Sequence, residues 1–146
     1  MKGKHEDMAQ NLKNKFRDEI LEIKVRKGNR VDVCIQNEAL MKVASYFHEG
    51  LKYRFIIASA MESKRGYEIY YHFSEDESGG VISLHVILPE EAPEISSLTP
   101  LFEAANWIER EMREILGIQF HGHPNPEKLI SEGNWAEGVY PLRKGE

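Results

Sequence analysis

Two histidines, His121 and His123, stand two apart in EREMREILGIQFHGHPNP, residues 109–126, directly after a run of glutamates and arginines. Imidazoles at this spacing can share one metal ion, and Glu109, Glu111 or Glu114 would add oxygen donors. Such a site needs three convergent protein ligands, and His5, His48, His72 and His85 fall on unrelated stretches. The plainer reading is a loop whose histidines hydrogen-bond the backbone, because short histidine motifs are permissive. Glutamates beside a histidine also suit general acid–base work, but only in a dry pocket that moves their pKa values. A stand-alone metal-binding or hydrolytic protein using His121, His123 and the nearby glutamates is therefore the alternative reading, and the sequence does not demand it.

Other chemistries have less support. Cys34, the single cysteine, lies mid-strand in VDVCIQ and reads as a small buried apolar residue. One cysteine forms no intramolecular disulfide and cannot make a cysteine-rich zinc or iron–sulfur centre. No serine sits in a G-x-S-x-G setting, and SGG at 78–80 lacks the helix that a phosphate-binding loop requires. With 19 basic and 24 acidic residues the chain carries a net charge of −5, which argues against a nucleic-acid partner. The charged N-terminal stretch does not look like a signal peptide, and no run of about 18 apolar residues offers a membrane span. A cytoplasmic protein is expected, reaching a membrane only through partner subunits.

The helix WIEREMRE places Glu109 four residues before Arg113, and Arg110 four before Glu114. On a solvated face such pairs contribute only a few tenths of a kcal/mol. A sharper role would have Glu111, flanked by Trp107 and Arg110, order the HGHP loop or meet an arginine of a partner. PLRK, 141–144, is a basic chain end preceded by WAEGVYPL, which has enough apolar mass to dock. An arginine held by that packing suits a bidentate carboxylate contact.

The elements that must position these residues follow from periodicity. Met8, Leu12, Phe16 and Ile20 predict a helix over about 6–18, and Leu21, Ile23 and Val25 predict a half-buried strand. KGN at 27–29 turns the chain into a second strand through Val31, Val33 and Ile35. Leu40, Val43, Ala44 and Phe47 form one face of a helix over 38–49. The nearly continuous apolar run YRFIIASAM, 53–61, predicts a central strand. Tyr67, Ile69, Tyr71 and Phe73 share one face of the next strand, opposite Glu68, Tyr70 and His72. Ile82, Leu84, Val86 and Leu88 share a face of another. PEEAPEISSLTP reads as a linker, with Thr99 capping and Pro100 opening a helix that Gly117 stops. The order predicts an α+β protein with a single largely antiparallel or mixed sheet, helices packed on one face and an extended irregular C-terminal tail. Residues 1–117 form the α/β domain and 118–146 the tail. Phe120, Leu129, Ile130, Trp135, Tyr140 and Leu142 make that tail too apolar to stay solvated. In the isolated chain the tail's apolar surface could drive a homodimer, a state the sequence itself does not decide.

ANWIEREMREILGIQFHGHP, followed about twenty residues later by PLRK, resembles the thirty-kilodalton subunit family of respiratory complex I, the C-type subunits of NADH–quinone oxidoreductase. Glu109, Arg110, Glu111, Gly117, Ile118, Phe120, Gly122, His123 and Pro124 match its pattern, as do Pro141, Leu142, Arg143 and Lys144. The ordered combination is more specific than any one piece. The family's usual aspartate is Glu114 here, NPEKLIS replaces its arginine-rich segment after GHP, and the chain stops two residues after PLRK. These departures look more like the short subunits of energy-converting [NiFe] hydrogenases. The resemblance implies a non-catalytic structural and assembly subunit with no active site, cofactor or metal of its own. It implies docking on a large hydrogenase-like catalytic subunit in the hydrophilic arm, among iron–sulfur subunits, with the iron–sulfur clusters and any nickel–iron centre carried by those partners. HGHP would then be a shaped loop, with Gly122 allowing close approach and Pro124 fixing its exit.

Overall fold

Strict alternation in two neighbouring strands organises the molecule. In the computed structural model, which describes residues 2–124 with side chains from residue 7, β4 (Gly66–Glu75) and β5 (Gly80–Leu88) form an antiparallel hairpin. Tyr67, Ile69, Tyr71 and Phe73 of β4 and Ile82, Leu84, Val86 and Leu88 of β5 are each at most 1% exposed. Period-2 side chains on paired strands make one continuous apolar surface, and the helices cover it.

The sheet has the order β1-β2-β5-β4-β3, with β1 (Ile20–Arg26), β2 (Arg30–Ile35) and β3 (Arg54–Ser63). All its pairings are antiparallel except β2 with β5, which makes the sheet mixed. The α-helices among the described residues, α1 (Lys2–Lys15), α2 (Leu40–Ser45) and α3 (Ala105–Leu116), pack on the apolar face. Leu12 and Phe16 at the end of α1, Leu40, Val43 and Ala44 of α2, Phe47 beyond it, and Ala105, Met112 and Leu116 of α3 join one cluster with the strands. Phe102 sits among Phe55 and Phe73, with ring centroids 5.0 and 5.6 Å away. The α+β class, the mixed sheet and the single helical face agree with the sequence reading.

Several local expectations are corrected. YRFIIASAM is an edge strand, since β3 pairs with β4 alone among the described residues. Its apolar side chains divide between two faces: Ala58 is buried, while Ile57 and Met61 are 51% and 52% exposed. In β1, Leu21 and Val25 are exposed as well, because β1 is the other edge and a register shift lies between Ile20 and Glu22. Cys34 is half-buried on the face away from the helices, opposite His85 in the parallel pair, so it is not a core residue. The segment read as a linker contains β6 (Glu94–Ser96), and the start of the tail contains β7 (Gln119–His121). These two pair in parallel as a small second sheet, with Ile95, Ile118 and Phe120 at 4%, 0% and 8% exposure. Thr99 and Pro100 lie in turns, and α3 begins only at Ala105.

Gly66, which opens β4, holds φ +129°, and a Cβ there would lie 2.1 Å from the Leu88 carbonyl oxygen. The β3–β4 turn can therefore lie against the end of β5 only without a side chain. Gly66→Ala is expected to destabilise the protein by more than about 1 kcal/mol, read as a lower urea midpoint. Leu84→Ala, which empties a fully buried site, is expected to cost about 2–5 kcal/mol in the same measurement. A Gly66→Ala midpoint at or above that of wild type would refute the close approach.

Candidate functional site: the Glu109 clasp and the HGHP loop

The motif residues converge on one buried carboxylate. Glu109 projects from the first turns of α3 and is 1% exposed, which corrects the reading of a solvated Glu109–Arg113 pair. Ser97 Oγ donates to its Oε1 at 2.5 Å, Thr99 Oγ1 to the same oxygen at 3.0 Å, and the Leu98 backbone N–H to Oε2 at 2.7 Å. Thr99 N–H in turn donates to Ser97 Oγ at 3.0 Å. The SSLT segment thus wraps both oxygens of the carboxylate. A buried carboxylate needs such donors to offset lost hydration. Burial pushes the Glu109 carboxyl above its ordinary range, against the bonds from Ser97, Leu98 and Thr99 and the nearby His123 imidazole.

The same segment fastens the loop. Ser97 N–H donates to the His121 carbonyl at 2.8 Å, and Gln119 N–H to the Pro93 carbonyl at 2.9 Å, so β7 lies along β6. Gly117, at φ +77°, ends α3 in the left-handed conformation and turns the chain toward Ile118. Past β7, Gly122 takes φ +82°, a backbone conformation that favours glycine, and a Cβ there would meet nothing within 4 Å among the described residues. His123 Nε2 lies 3.1 Å from the Asn106 carbonyl oxygen and 3.9 Å from Glu109 Oε1, returning the loop to the start of α3.

The two histidines do not converge. His121 Nε2 faces Glu94 Oε1 at 2.6 Å on the exposed side of the small sheet, while His123 is directed inward to Asn106. No group of three histidine, cysteine or acidic side chains is placed to hold a metal among the described residues. Elsewhere in the motif, Glu114 is 4% exposed, Arg110 is half-buried, Glu111 is exposed, and Trp107 is 56% exposed. Pro124 ends the described chain, and Pro141, Leu142, Arg143 and Lys144 lie outside the described residues.

Sequence reasoning missed the hydroxyl partners. Ser97 and Thr99 were legible only as linker and helix cap, and their true acceptor, Glu109, lies ten or more residues ahead. It also missed a second buried pair on the uncovered face of the sheet, where His85 Nε2 and Glu68 Oε1 are 2.6 Å apart and Arg65 Nη2 donates to the same oxygen at 2.8 Å. Burial acts to raise the Glu68 carboxyl, yet hydrogen bonds from Ser63, His85 and Arg65 hold it below its ordinary value. Glu68, Tyr70 and His72 were correctly assigned to one face, but not their partners on β5.

Glu109→Ala is expected to lower stability by about 1–3 kcal/mol or more, since it strands a buried N–H and two hydroxyls. Amide exchange at Leu98 should quicken with it. The raised carboxyl favours the protonated form in the folded state, so its contribution is complete below the ordinary carboxylate range and is lost as pH rises through the folded value. Glutamine does not ionise. Glu109→Gln should therefore gain on wild type in urea midpoint as pH rises above the ordinary carboxylate range. A midpoint of Glu109→Gln relative to wild type that stays constant or falls as pH rises would contradict the burial argument.

Comparison with known proteins agrees with this geometry. The family described as respiratory-chain NADH dehydrogenase, 30 Kd subunit, matches residues 33–146. The C/D subunit of NADH-quinone oxidoreductase from Yersinia pestis bv. Antiqua (strain Angola) is 30% identical over 145 residues, covering 91% of this chain and 24% of that protein. That of Methylococcus capsulatus (strain ATCC 33009 / NCIMB 11132 / Bath) is 41% identical over 78 residues, 53% of this chain and 13% of that protein. The chain thus spans about a quarter or less of the length of these relatives. Among solved structures, the trypsin-resistant fragment (1–134) of Nqo5 superposes with a TM-score of 0.69 at 20% identity, over 82% of this chain and 97% of that one. A chain of the membrane-bound sulfane sulfur reductase (MBS), an archaeal respiratory membrane complex, reaches 0.77 at 22% identity, over 97% of this chain and 84% of that one. Both share the fold. With the family pattern matched from β2 through the clasp to the chain end, this chain belongs to the respiratory-chain NADH dehydrogenase 30 Kd subunit family.

Proposed function

We propose that the chain is a non-catalytic structural and assembly subunit of a membrane-bound oxidoreductase complex, of the NADH:quinone oxidoreductase or energy-converting hydrogenase type. The observation that carries this reading is the family match, in relatives where the same stretch is one part of a much longer C/D polypeptide. A segment joined to a larger unit in relatives is expected to contact that larger unit. The larger unit here is the large catalytic subunit, and the iron–sulfur clusters, with nickel–iron in a hydrogenase-type complex, belong to the partners. The complex sits at the cytoplasmic side of a membrane, and this chain reaches it through its partners. No helix among the described residues is long and apolar enough to cross a membrane.

The chemistry of the clasp supports this role. Glu109 is fully engaged by structural donors, and the HGHP loop is pinned to α3 and β6, so the site delivers the chain to a fixed exit at Pro124. Residues 1–117 act as the folded domain, with β7 and the HGHP loop packed onto it, and the rest of 118–146 acts as the docking arm, with Arg143 and Lys144 meeting acidic groups of the partner. Glu111 and Arg110 lie on the helix that borders this exit.

Affinity capture of the tagged chain from detergent-solubilised native membranes should recover a hydrogenase-like large subunit and iron–sulfur proteins by mass spectrometry. Arg143→Ala should reduce that recovery by about tenfold, the scale of one lost bidentate contact. Purified chain alone should carry no stoichiometric metal. Capture of the chain by itself, with a metal bound, would overturn the assembly role in favour of His121 and His123 chemistry.

A further inference from the structure

Among the described residues the helices cover one face of the sheet only. On the opposite face the strand registers place Ile57, Ser59 and Met61 of β3 beside His72, Tyr70 and Glu68 of β4. Tyr70 and Glu68 are followed by His85 and Ile87 of β5, and His85 by Cys34 of β2. This face is not an ordinary solvated one. Its β3 margin exposes about half of Ile57 and Met61, and its centre is a stacked pair, with the Tyr70 and His85 rings 4.1 Å apart and 5° from parallel. His85 and Glu68, at 8% and 5% exposure, are locked together beneath. A 270 Å³ cavity opens beside the stack, with Cys34, Tyr70 and His85 among its lining residues.

Charge on this face differs from that of the whole chain. On β1, β2, β4, β5 and the Arg65 turn it carries four cations, Lys24, Arg26, Arg30 and Arg65, against three carboxylates, Glu22, Asp32 and Glu68, in a chain of net charge −5. Each carboxylate already has a cation of this face: Glu22 has Lys24 at 3.3 Å, Asp32 has Arg26, and Glu68 has Arg65 at 2.8 Å. Among the described residues of this face Arg30 is the surplus cation and is exposed; burial, and then the Arg30 charge, disfavour protonation of His72 against the opposing pull of Asp32. Apolar side chains at one margin, a rigid aromatic platform with a cavity at the centre and a spare arginine at the other margin form the anatomy of a protein interface.

We infer that this uncovered sheet face is the surface that receives the large partner subunit, through an apolar patch on Ile57 and Met61, a side chain inserted into the cavity over Cys34, and a partner carboxylate on Arg30. The inference rests on the assembly role proposed above and names the face that performs it. An acidic, apolar-tipped partner surface satisfies the face, because its own carboxylates are already neutralised and a basic partner would be repelled by Arg30.

Cys34 is the single cysteine of the chain, so it reports on the cavity without mutation. Maleimide labelling of the Cys34 peptide, followed by mass spectrometry, is compared between the isolated chain and the complex captured from native membranes. Labelling in the complex should be slower by about tenfold or more, and Met61→Asp and Arg30→Glu should each recover about tenfold less large subunit, because each sets a carboxylate against the acidic, apolar-tipped partner surface. Both residues are exposed, so the variants should keep the wild-type melting temperature. Equal Cys34 labelling in chain and complex, with full recovery of the large subunit by both variants, would overturn the face while leaving the assembly role standing. Failure of the wild type to recover any large subunit would overturn the assembly role and the face with it.

Discussion

The burial of one carboxylate sets the arrangement around the motif. Glu109 enters the protein from a helix that packs on the sheet, and a carboxylate in that position must find donors or lose its charge. The chain supplies them from a segment with no regular structure: two hydroxyls and a backbone N–H at consecutive residues Ser97, Leu98 and Thr99. Once that segment is fixed, Ser97 N–H fixes the His121 carbonyl, β7 lies along β6, and Ile118 and Phe120 fall into the apolar cluster. A polar residue thus specifies where irregular backbone goes, a task that nondirectional apolar packing performs poorly.

This arrangement leaves polar groups unmatched nearby. Tyr71 is buried, and its hydroxyl has no hydrogen-bond partner among the described residues. Burial, and then the Glu109 charge, push its ionisation well above the ordinary range, so it stays a neutral phenol. Asn106 Oδ1 is buried and likewise without a partner among the described residues. Asn106 precedes Glu109 by three residues, about one helical turn.

Much of the sheet and little of the clasp were legible in the sequence. Alternation in β4 and β5 named all eight core side chains of the hairpin, because a strand with one buried face writes its period directly into residue type. Leu40, Val43, Ala44 and Phe47 were legible for the same reason at helical period. Edge position was not legible. IIASAM is apolar on both faces, which reads as a central strand, and only the pairing order reveals that one face and one edge are open. The Glu109 environment was invisible for a different reason. Spacing along a helix reports i+4 neighbours, so Arg113 was the natural partner, whereas the actual donors come from residues that close on the helix through the β6–β7 pairing. The family pattern identified these positions as special, and geometry supplied the reason for Glu109 and His123.

The two faces of the sheet solve different problems. The helix-covered face is apolar along β4 and β5 and gives the chain its own stability. The uncovered face combines a locked Glu68–His85 pair, a stacked tyrosine and exposed Ile57 and Met61, a mixture that adds little to folding on its own. Buried polar pairs stabilise weakly at best, because desolvation offsets their attraction. Large apolar groups left half in water forgo transfer free energy of about 25 cal/mol for each Å² that remains exposed. Neither feature is explained by the fold of the isolated chain. On the assembly reading proposed above, a partner surface on this face would complete the burial of Ile57 and Met61, and the pair would hold the aromatic platform in register beneath it. The clasp would then set the direction of the chain at Pro124, and the open face would meet the partner.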